Sequence, residues 1–386
     1  MWQLGLTDAD RATFEASLAS SHVQAVRLEV LDHDERPLGE ATQGVLDAGV
    51  TFDLTGEVTR TAEVTVARGA LQRIPGLDQI AYTLASPGLF LRVVHAVYVE
   101  PLERWVEVPL FTGPVWASQT QGDEVQLSAV GKEALLQPPH YAVGPASDHT
   151  HHGKGKRVTD AIADLLRGGG EHALGSLPTL PKRLQRAIDV GPEGSRWALA
   201  RRLADGLDRT LWFDGEGRAR LEQRAAGGPV FTFTPSHLLT EPAVSYSLGE
   251  LRNAIRIGYG KGARSHVLHV LGSAQPASGT AMARRNGVPR LMVETLDDED
   301  IEHEGEARAQ ADRMLTSRQL AYNVTLDAVL VPHLEPGDTV AVNTGGQATP
   351  FVFASASLGL SADGGMTVNY LRRLPRKVLL RGRRKR

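Results

Sequence analysis

The chain has 386 residues and a mass of 41.6 kDa, room for two or three ordinary domains. It carries 42 Lys and Arg against 45 Asp and Glu, is 41% hydrophobic, and its 40 Gly and 21 Pro point to many turns in a globular chain. The absence of cysteine excludes disulfide scaffolds, thiol catalysis, iron–sulfur ligation and every cysteine-containing zinc site.

The opening residues, Met1 to Asp8, lack a basic stretch followed by an apolar core, so no secretory signal is expected. No run approaches the ~18 uninterrupted apolar residues of a membrane-spanning helix. Residues 1–21 read as a helical or extended arm. Val26, Leu28 and Val30 then alternate with Arg27 and Glu29, the period-two pattern of a half-buried strand. Val50 to Leu54 and Ala62 to Val66 continue the pattern on either side of Gly56. Phe90–Val99 and Trp105–Phe111 flank the turn Glu100-Pro101-Leu102-Glu103. Val115-Trp116 and Val125–Ala129 flank Gln121-Gly122-Asp123-Glu124. Repeated short strands with hairpin turns predict a small β-barrel or sandwich over 22–135, taken as a barrel.

Residues 136–157 form a polar, His-rich linker. Val158, Ile162, Leu165 and Leu166 predict a helix that Gly168-Gly169-Gly170 ends. A second helix starts at a Ser195 cap and carries Trp197, Ala200, Ala204 and Leu207 at helical spacing. Leu211-Trp212-Phe213 and Arg218–Leu221 flank Asp214-Gly215-Glu216-Gly217, a hairpin. Helix and hairpin make an α+β middle domain, 158–240. Strands return at 244–248, 253–259 and 267–270, and a helix follows over 301–317. Leu320 to Leu330 alternate, and after the Pro336-Gly337-Asp338 turn come strands at 339–342, 351–357 and 366–372. This predicts a second β-rich domain over 241–370, taken as a second barrel, with a helix inserted or packed across one end. The expected fold is therefore mainly β, with two small barrels bracketing a helix-plus-hairpin module.

The last sixteen residues, 371–386, hold nine basic side chains and no acidic one, leaving 33 basic against 45 acidic in the other 370. An acidic body thus carries a basic tail. The tail reads as a solvated or assembly segment, with nucleic acid and anionic lipid as alternatives. If the protein lines a DNA-conducting channel, its acidic body would repel rather than retain the phosphate backbone.

Chemical signals are sparse. Asp148-His149-Thr150-His151-His152 offers imidazoles and a carboxylate for a metal such as zinc, but adjacent residues seldom all reach one ion, and an exposed loop is the plainer reading. Glu302-His303-Glu304 lacks the second histidine of a metalloprotease helix, since position 307 is Ala. Gly258-Tyr259-Gly260-Lys261-Gly262 is not followed by the Ser/Thr and helix of a phosphate loop, and reads as a strand end. No Gly-x-Ser-x-Gly elbow occurs, and Asp47, Asp53 and Glu57 are not singled out as an acid pair. No catalytic, cofactor-binding or metal residue is assigned, and no cofactor is expected.

The order of parts resembles the tailed-phage baseplate hub proteins. The resemblance rests on Phe52–Val66, Val108–Val115, Val125–Lys132, Ser195–Gly206 with Leu211–Gly217, Leu251–Tyr259 and Leu334–Val340. It implies a homotrimeric ring at the distal end of a phage tail or related injection device. Three subunits with two similar units each would meet a sixfold tail tube, around a conduit for tape-measure protein and DNA. Further implied partners are a distal tail or tail-tube protein and a tail-tip or fibre protein, with assembly in the host cytoplasm. The chain ends soon after the last unit, so wall-degrading or receptor-binding activity is expected in a partner. Trp105, Trp116 and Phe111 are aromatic positions for ring contacts or for ordinary core. Alternatives are a tail-tip carbohydrate-binding or peptidoglycan-degrading protein, a β-rich enzyme using His149–His152, and a nucleic-acid-binding module driven by 372–386.

Overall fold

The computed structural model describes residues 2, 4–74, 88–138, 150–185, 187–190, 195–223, 228–246, 252, 254–260, 266–271, 284–285, 288–289, 292–298, 301, 303–318, 322–343, 348–361 and 364–373. The first part runs α1 (Asp8–Leu18), β1 (Val23–Leu31), β2 (Pro37–Glu40), β3 (Val45–Asp53), β4 (Arg60–Ala67), the single turn α2 (Arg68–Leu71), β5 (Phe90–Val99), β6 (Arg104–Gln121) and β7 (Glu124–Val130). The Thr7 side chain caps α1 by accepting the Asp10 N–H, and Phe14 and Leu18, one turn apart, enter the core. The amino-terminal arm is therefore docked. The two aromatic-rich strands expected at 105–111 and 115–116 are one long β6, kept together by register shifts near Val93/Val94 on β5 and at Val115/Ala117.

The middle part comprises β8 (Thr150–His152), α3 (Val158–Gly168), β9 (Ile188–Val190), α4 (Arg196–Asp205), β10 (Arg209–Phe213) and β11 (Ala219–Gln223). Ser195 caps α4, accepting the Ala198 N–H at 3.0 Å. Ile162 and Leu165 of α3, Trp197 and Ala200 of α4, and Phe213 and Leu221 of the hairpin form a core of their own. Trp197 and Phe213 stack with ring centres 5.6 Å apart.

The last part holds β12 (Phe231–Phe233), β13 (Ala243–Tyr246), β14 (Ala254–Tyr259), β15 (His266–Leu271), β16 (Arg284–Arg285), β17 (Val288–Pro289), β18 (Val293–Asp298), α5 (Glu304–Arg318), β19 (Tyr322–Ala328), β20 (Thr339–Asn343), β21 (Ala348–Gly359) and β22 (Met366–Arg373). Ala307, Ala311 and Leu315, each four apart on α5, cover Ile255 and Ile257 of a three-stranded sheet ordered β15-β14-β18.

The expectation of two β-barrels is overturned. Among the described residues no sheet closes on itself. Strands from both ends of the chain make one 13-stranded sheet, running β13-β19-β22-β21-β3-β4-β7-β6-β5-β1-β2 with β20 and β12 branching from β21. The junction is antiparallel pairing of β21 with β3, from Ser355 opposite Asp53 to Gly359 opposite Gly49. Each half thus satisfies a strand edge on the other half, where a barrel would satisfy it by curling back. Alternation with period two records which side chains face inward and is the same for an open or a closed sheet. One continuous core follows, with Phe52 and Val64 from the first half and Phe353 and Val368 from the second.

Several buried positions are polar, His95 among them. His95 of β5, between Val26 of β1 and Val108 of β6, is fully buried with neither ring nitrogen hydrogen-bonded. Burial, helped by the charge of His22, lowers its pKa to about 4. The unfolded chain takes up this proton near pH 6.5, and the folded chain only near 4. The stability this neutral imidazole confers is complete above pH 6.5 and is lost as pH falls through that window, by roughly 3 kcal/mol. Urea unfolding at pH 7 and pH 4.5 should show this drop, and His95→Leu should reduce it by about that amount; an unchanged pH dependence in the variant would refute the assignment.

Candidate functional site

The most chemically distinctive region is a buried polar seam where the middle part rests on the large sheet. It begins with the β10–β11 turn. Asp214 Oδ1 accepts the N–H groups of Glu216 at 3.0 Å and Arg218 at 2.9 Å, while Gly217 takes φ +71°. The turn lies directly on β6. A Cβ on Gly215 would come within 1.9 Å of the Pro109 carbonyl oxygen, and Thr112 Oγ1 donates to the Gly215 carbonyl at 2.8 Å. Only glycine permits that approach.

Arg60, at the start of β4, is 3% exposed. Its Nε donates to the Phe213 carbonyl at 3.0 Å and its Nη1 to the Leu110 carbonyl at 2.6 Å, while Nη2 pairs with Glu335. The guanidinium also lies 4.4 Å from the centre of the Phe52 ring. Glu335 Oε2 accepts the Trp212 indole N–H at 3.2 Å, and the Glu335 N–H donates to Asp338 Oδ2 at 2.8 Å within the Pro336-Gly337-Asp338 turn. Burial raises the Glu335 pKa and the Arg60 charge opposes that shift. Arg220 Nε donates to Asp214 Oδ2 at 2.6 Å. On α4, Arg201 Nη1 donates to the Gly56 carbonyl at 2.6 Å, tying the helix to the β3–β4 turn.

Lys132 is wholly buried and pairs with Glu35 and, at 3.2 Å, with Glu171 Oε2. Glu35 holds φ +62° in the β1–β2 turn, so a residue in the left-handed region presents this carboxylate. Glu171 also accepts the Ala173 N–H at 2.7 Å; burial raises its pKa against the pull of Lys132. Next in sequence, Glu133 is fully buried; its Oε1 accepts the Thr59 N–H at 3.4 Å, and among the described residues Oε2 has no hydrogen-bond partner. Burial raises its pKa.

Residues singled out in the sequence fall elsewhere. His151 and His152 lie in β8, paired with Asp189 and Ile188 of β9, while Asp148 and His149 are outside the described residues. Among the described residues no group of three or more His, Cys, Asp or Glu is placed to hold a metal ion, and no helix is long and apolar enough to cross a membrane. The His303 carbonyl accepts the Glu306 and Ala307 N–H groups at the start of α5, and Glu302 is outside the described residues. Gly258 and Tyr259 end β14 and the Gly260 N–H donates to the Ile301 carbonyl; Lys261 and Gly262 are outside the described residues. Asp47, at a register shift in β3, accepts the Ala48 N–H, and Asp53, at the end of β3, accepts the Thr55 N–H and hydroxyl. Phe111 is core, whereas Trp105 and Trp116 are 46% and 50% exposed. Arg372 and Arg373 end β22, and residues 374–386 lie outside the described residues.

Sequence reasoning assigned no role to Arg60, Lys132, Glu133, Glu171 or Glu335. Four of them stand within or beside segments quoted for the hub resemblance. The available signal was a charged residue interrupting an apolar alternation or abutting a turn, as Lys132-Glu133 does after Val125–Val130.

No family model and no curated protein matches the chain. Solved structures do. A tail protein from Neisseria meningitidis MC58 superposes with a TM-score of 0.59 at 14% identity, over 90% of this chain and 96% of that one. The 43 kDa tail protein of prophage MuSo2 from Shewanella oneidensis gives 0.59 at 13% identity, over 91% and 98%. Prophage tail protein gp18 from Listeria monocytogenes EGD-e gives 0.54 at 10% identity, over 92% and 97%. The likeness is one of fold, nearly end to end: this chain has a fold found in phage tail proteins.

Two outcomes test the seam. Arg60→Met should cost about 3–5 kcal/mol in unfolding free energy by stranding the Glu335 charge, and adding Glu335→Gln should recover part of it. Glu133 keeps its proton in the folded chain above the pH at which the unfolded chain, with pKa near 4.5, releases it. Its contribution therefore falls as pH rises from 4.5 through the raised folded value. Glu133→Gln should stabilise the protein at pH 8 and leave it nearly unchanged at pH 4; equal effects at both would show that Glu133 does not titrate there.

Proposed function

We propose that the chain is a structural baseplate hub protein of a phage tail or related injection device, not an enzyme. The observation that carries this reading is the near-complete overlap with three tail proteins, with 90–92% of this chain and 96–98% of theirs superposed. In this reading the protein sits at the distal end of the virion tail, having assembled in the host cytoplasm. Three copies form a ring, and the two β-rich halves of each subunit together offer six units to a sixfold tail tube. The ring contacts a distal tail or tail-tube protein on one side and a tail-tip or fibre protein on the other. It leaves a conduit for tape-measure protein and DNA. The seam of buried ion pairs suits such a part, because it fixes the middle region against the sheet. The acidic body, 33 basic against 45 acidic side chains outside 371–386, suits passage of a polyanion without retention.

Light scattering across a concentration series, with electron micrographs of the same peak, tests the ring. A mass about three times 41.6 kDa and threefold particles are expected. A monomer at every concentration, with no ring on addition of tail tubes, would overturn the reading. The exposed Trp105 and Trp116 are the natural contact anchors, and Trp105→Arg or Trp116→Arg should weaken association by roughly tenfold or more. A tail-tip carbohydrate-binding role has one supporting feature, the edge-to-face pair of Tyr98 and half-exposed Trp105 with ring centres 5.5 Å apart. Quenching of tryptophan fluorescence by cell-wall glycan fragments, abolished by Trp105→Ala, would favour it.

A further inference from the structure

Beyond β8 and β9 the chain of the middle part stays paired. The Gly155 N–H donates to the Leu184 carbonyl at 2.9 Å, the Leu184 N–H to the Lys156 carbonyl at 2.8 Å, and the Val158 N–H to the Lys182 carbonyl at 3.0 Å. Arg157 and Arg183 bridge across this pair, and Leu184 is buried in the core beneath it. Lys154, Arg157, Lys182 and Arg183 are thereby brought together as an exposed cationic ridge. Lys182 Nζ donates to the Gly206 carbonyl at 2.9 Å and Arg183 Nη1 to the Gly155 carbonyl at 2.7 Å. Among the described residues none of the four pairs with a carboxylate; Asp164 is taken by Lys156 and Arg167. Asp160, exposed on the first turn of α3, is the sole acid in 153–163, and 172–188 has none.

The complementary charge lies in the last part of the chain. Residues 294–306 hold eight acidic side chains and no Lys or Arg. Asp297 on β18 and Glu304 on the first turn of α5 are exposed, Glu304 with Arg308 at 3.5 Å and both more than half exposed. The bond from the Gly260 N–H to the Ile301 carbonyl holds the β18–α5 connection at the end of β14. α5 covers one face of the β15-β14-β18 sheet. On the other face Val267 and Asp297 lie opposite Gly258 from either side, and Arg256 is half-buried. Val267 and Val293 are 51% and 43% exposed there. Apolar surface thus adjoins exposed carboxylates, as in a contact with an apolar centre and a charged rim.

We propose that the cationic ridge of one subunit docks on the β18–α5 end of a second copy of this chain, with Arg157 and Arg183 facing Asp297 and Glu304 and the contact covering Val267 and Val293. The inference rests on the ring reading above and supplies it with a contact. Ridge and acidic end are different surfaces, so each copy offers one to the next. Such a head-to-tail contact closes into a ring, whereas a contact between like patches stops at a dimer. Opposite charge brings the right surfaces together and disfavours ridge against ridge or end against end. The chain carries the complementary charge itself, which favours a second copy over nucleic acid as the occupant of the ridge.

Charge reversal in the full chain tests this, with association followed by light scattering. Arg157→Glu with Arg183→Glu, and separately Asp297→Lys with Glu304→Lys, should each raise the concentration at half-association by roughly tenfold or more. A chain carrying all four substitutions pairs opposite charges again and should return to within about threefold of the unaltered protein. All four side chains are exposed, and urea midpoints check that each variant folds. Arg183→Cys with Glu304→Cys, in a chain with no other cysteine, should form disulfides between chains under mild oxidation and none within a chain. Association unchanged in both reversed chains would overturn the inference and leave the ring reading standing, as would a four-substitution chain no better than the two-substitution ones. An Arg157→Glu, Arg183→Glu chain that keeps its mass but loses salt-sensitive binding of duplex DNA would assign the ridge to nucleic acid instead. An unaltered chain that is monomeric at every concentration, with no disulfide between chains in the cysteine variant, would overturn both readings.

Discussion

Much of this architecture depends on one buried guanidinium. Arg60 starts β4 in the first half of the chain, yet its hydrogen bonds go to Leu110 on β6, Phe213 at the end of β10, and Glu335 just before β20. Those partners belong to three regions of the chain, the farthest of them, Glu335, 275 residues from Arg60 in sequence. Withdrawing such a charge from water costs several kcal/mol, which is offset only when the surrounding acceptors are all in place. Two carbonyl oxygens, a carboxylate and the Phe52 ring supply that shell together. The interaction therefore does more to select one arrangement of the three regions than to add net stability. An arrangement with the middle part shifted would take the Phe213 carbonyl from Arg60 and the Trp212 indole N–H from Glu335.

Lys132 repeats the logic on the other side of Phe213. It draws Glu35 from the β1–β2 turn and Glu171 from beyond α3, and it lies 5.9 Å from the centre of the Phe213 ring that also packs on Trp197. The middle part is thus held by two cations that grip the same hairpin from the sheet side, and by the Gly215 backbone pressed on Pro109. Beneath the seam, the pairing of β21 with β3 makes the sheet continuous, so the two β-rich halves share a core rather than meeting at a polar interface.

Local structure was legible wherever a residue's immediate neighbours decide it. Phe90–Val99 is a strand with the expected bounds, Ser195 caps α4, and Asp214-Gly215-Glu216-Gly217 turns a hairpin. Short elements were not: β12 has three residues, Phe-Thr-Phe, too few for any period to register, and its parallel pairing with β20 spans more than a hundred residues. Of the candidate site, the hairpin turn and the Pro336-Gly337-Asp338 turn were visible as turns. The charges that make the seam were not, because a Lys or Glu beside a turn reads as solvated surface unless something covers it.

The sequence by itself determined the composition class, most helices and strands with their inward faces, and the order of parts that resembles phage tail hubs. These follow from steric preference and from side-chain periods of 2 and 3.6, which act over a few residues. Tertiary structure alone decided that the β-rich halves join edge to edge instead of closing as barrels. It also decided that Arg60, Lys132 and Glu133 are buried. Strand edges carry the same N–H and C=O groups whatever their partner, and the environment of a charge depends on segments hundreds of residues away. Neither quantity is written in a local pattern; both are settled by which surfaces the folded chain brings into contact.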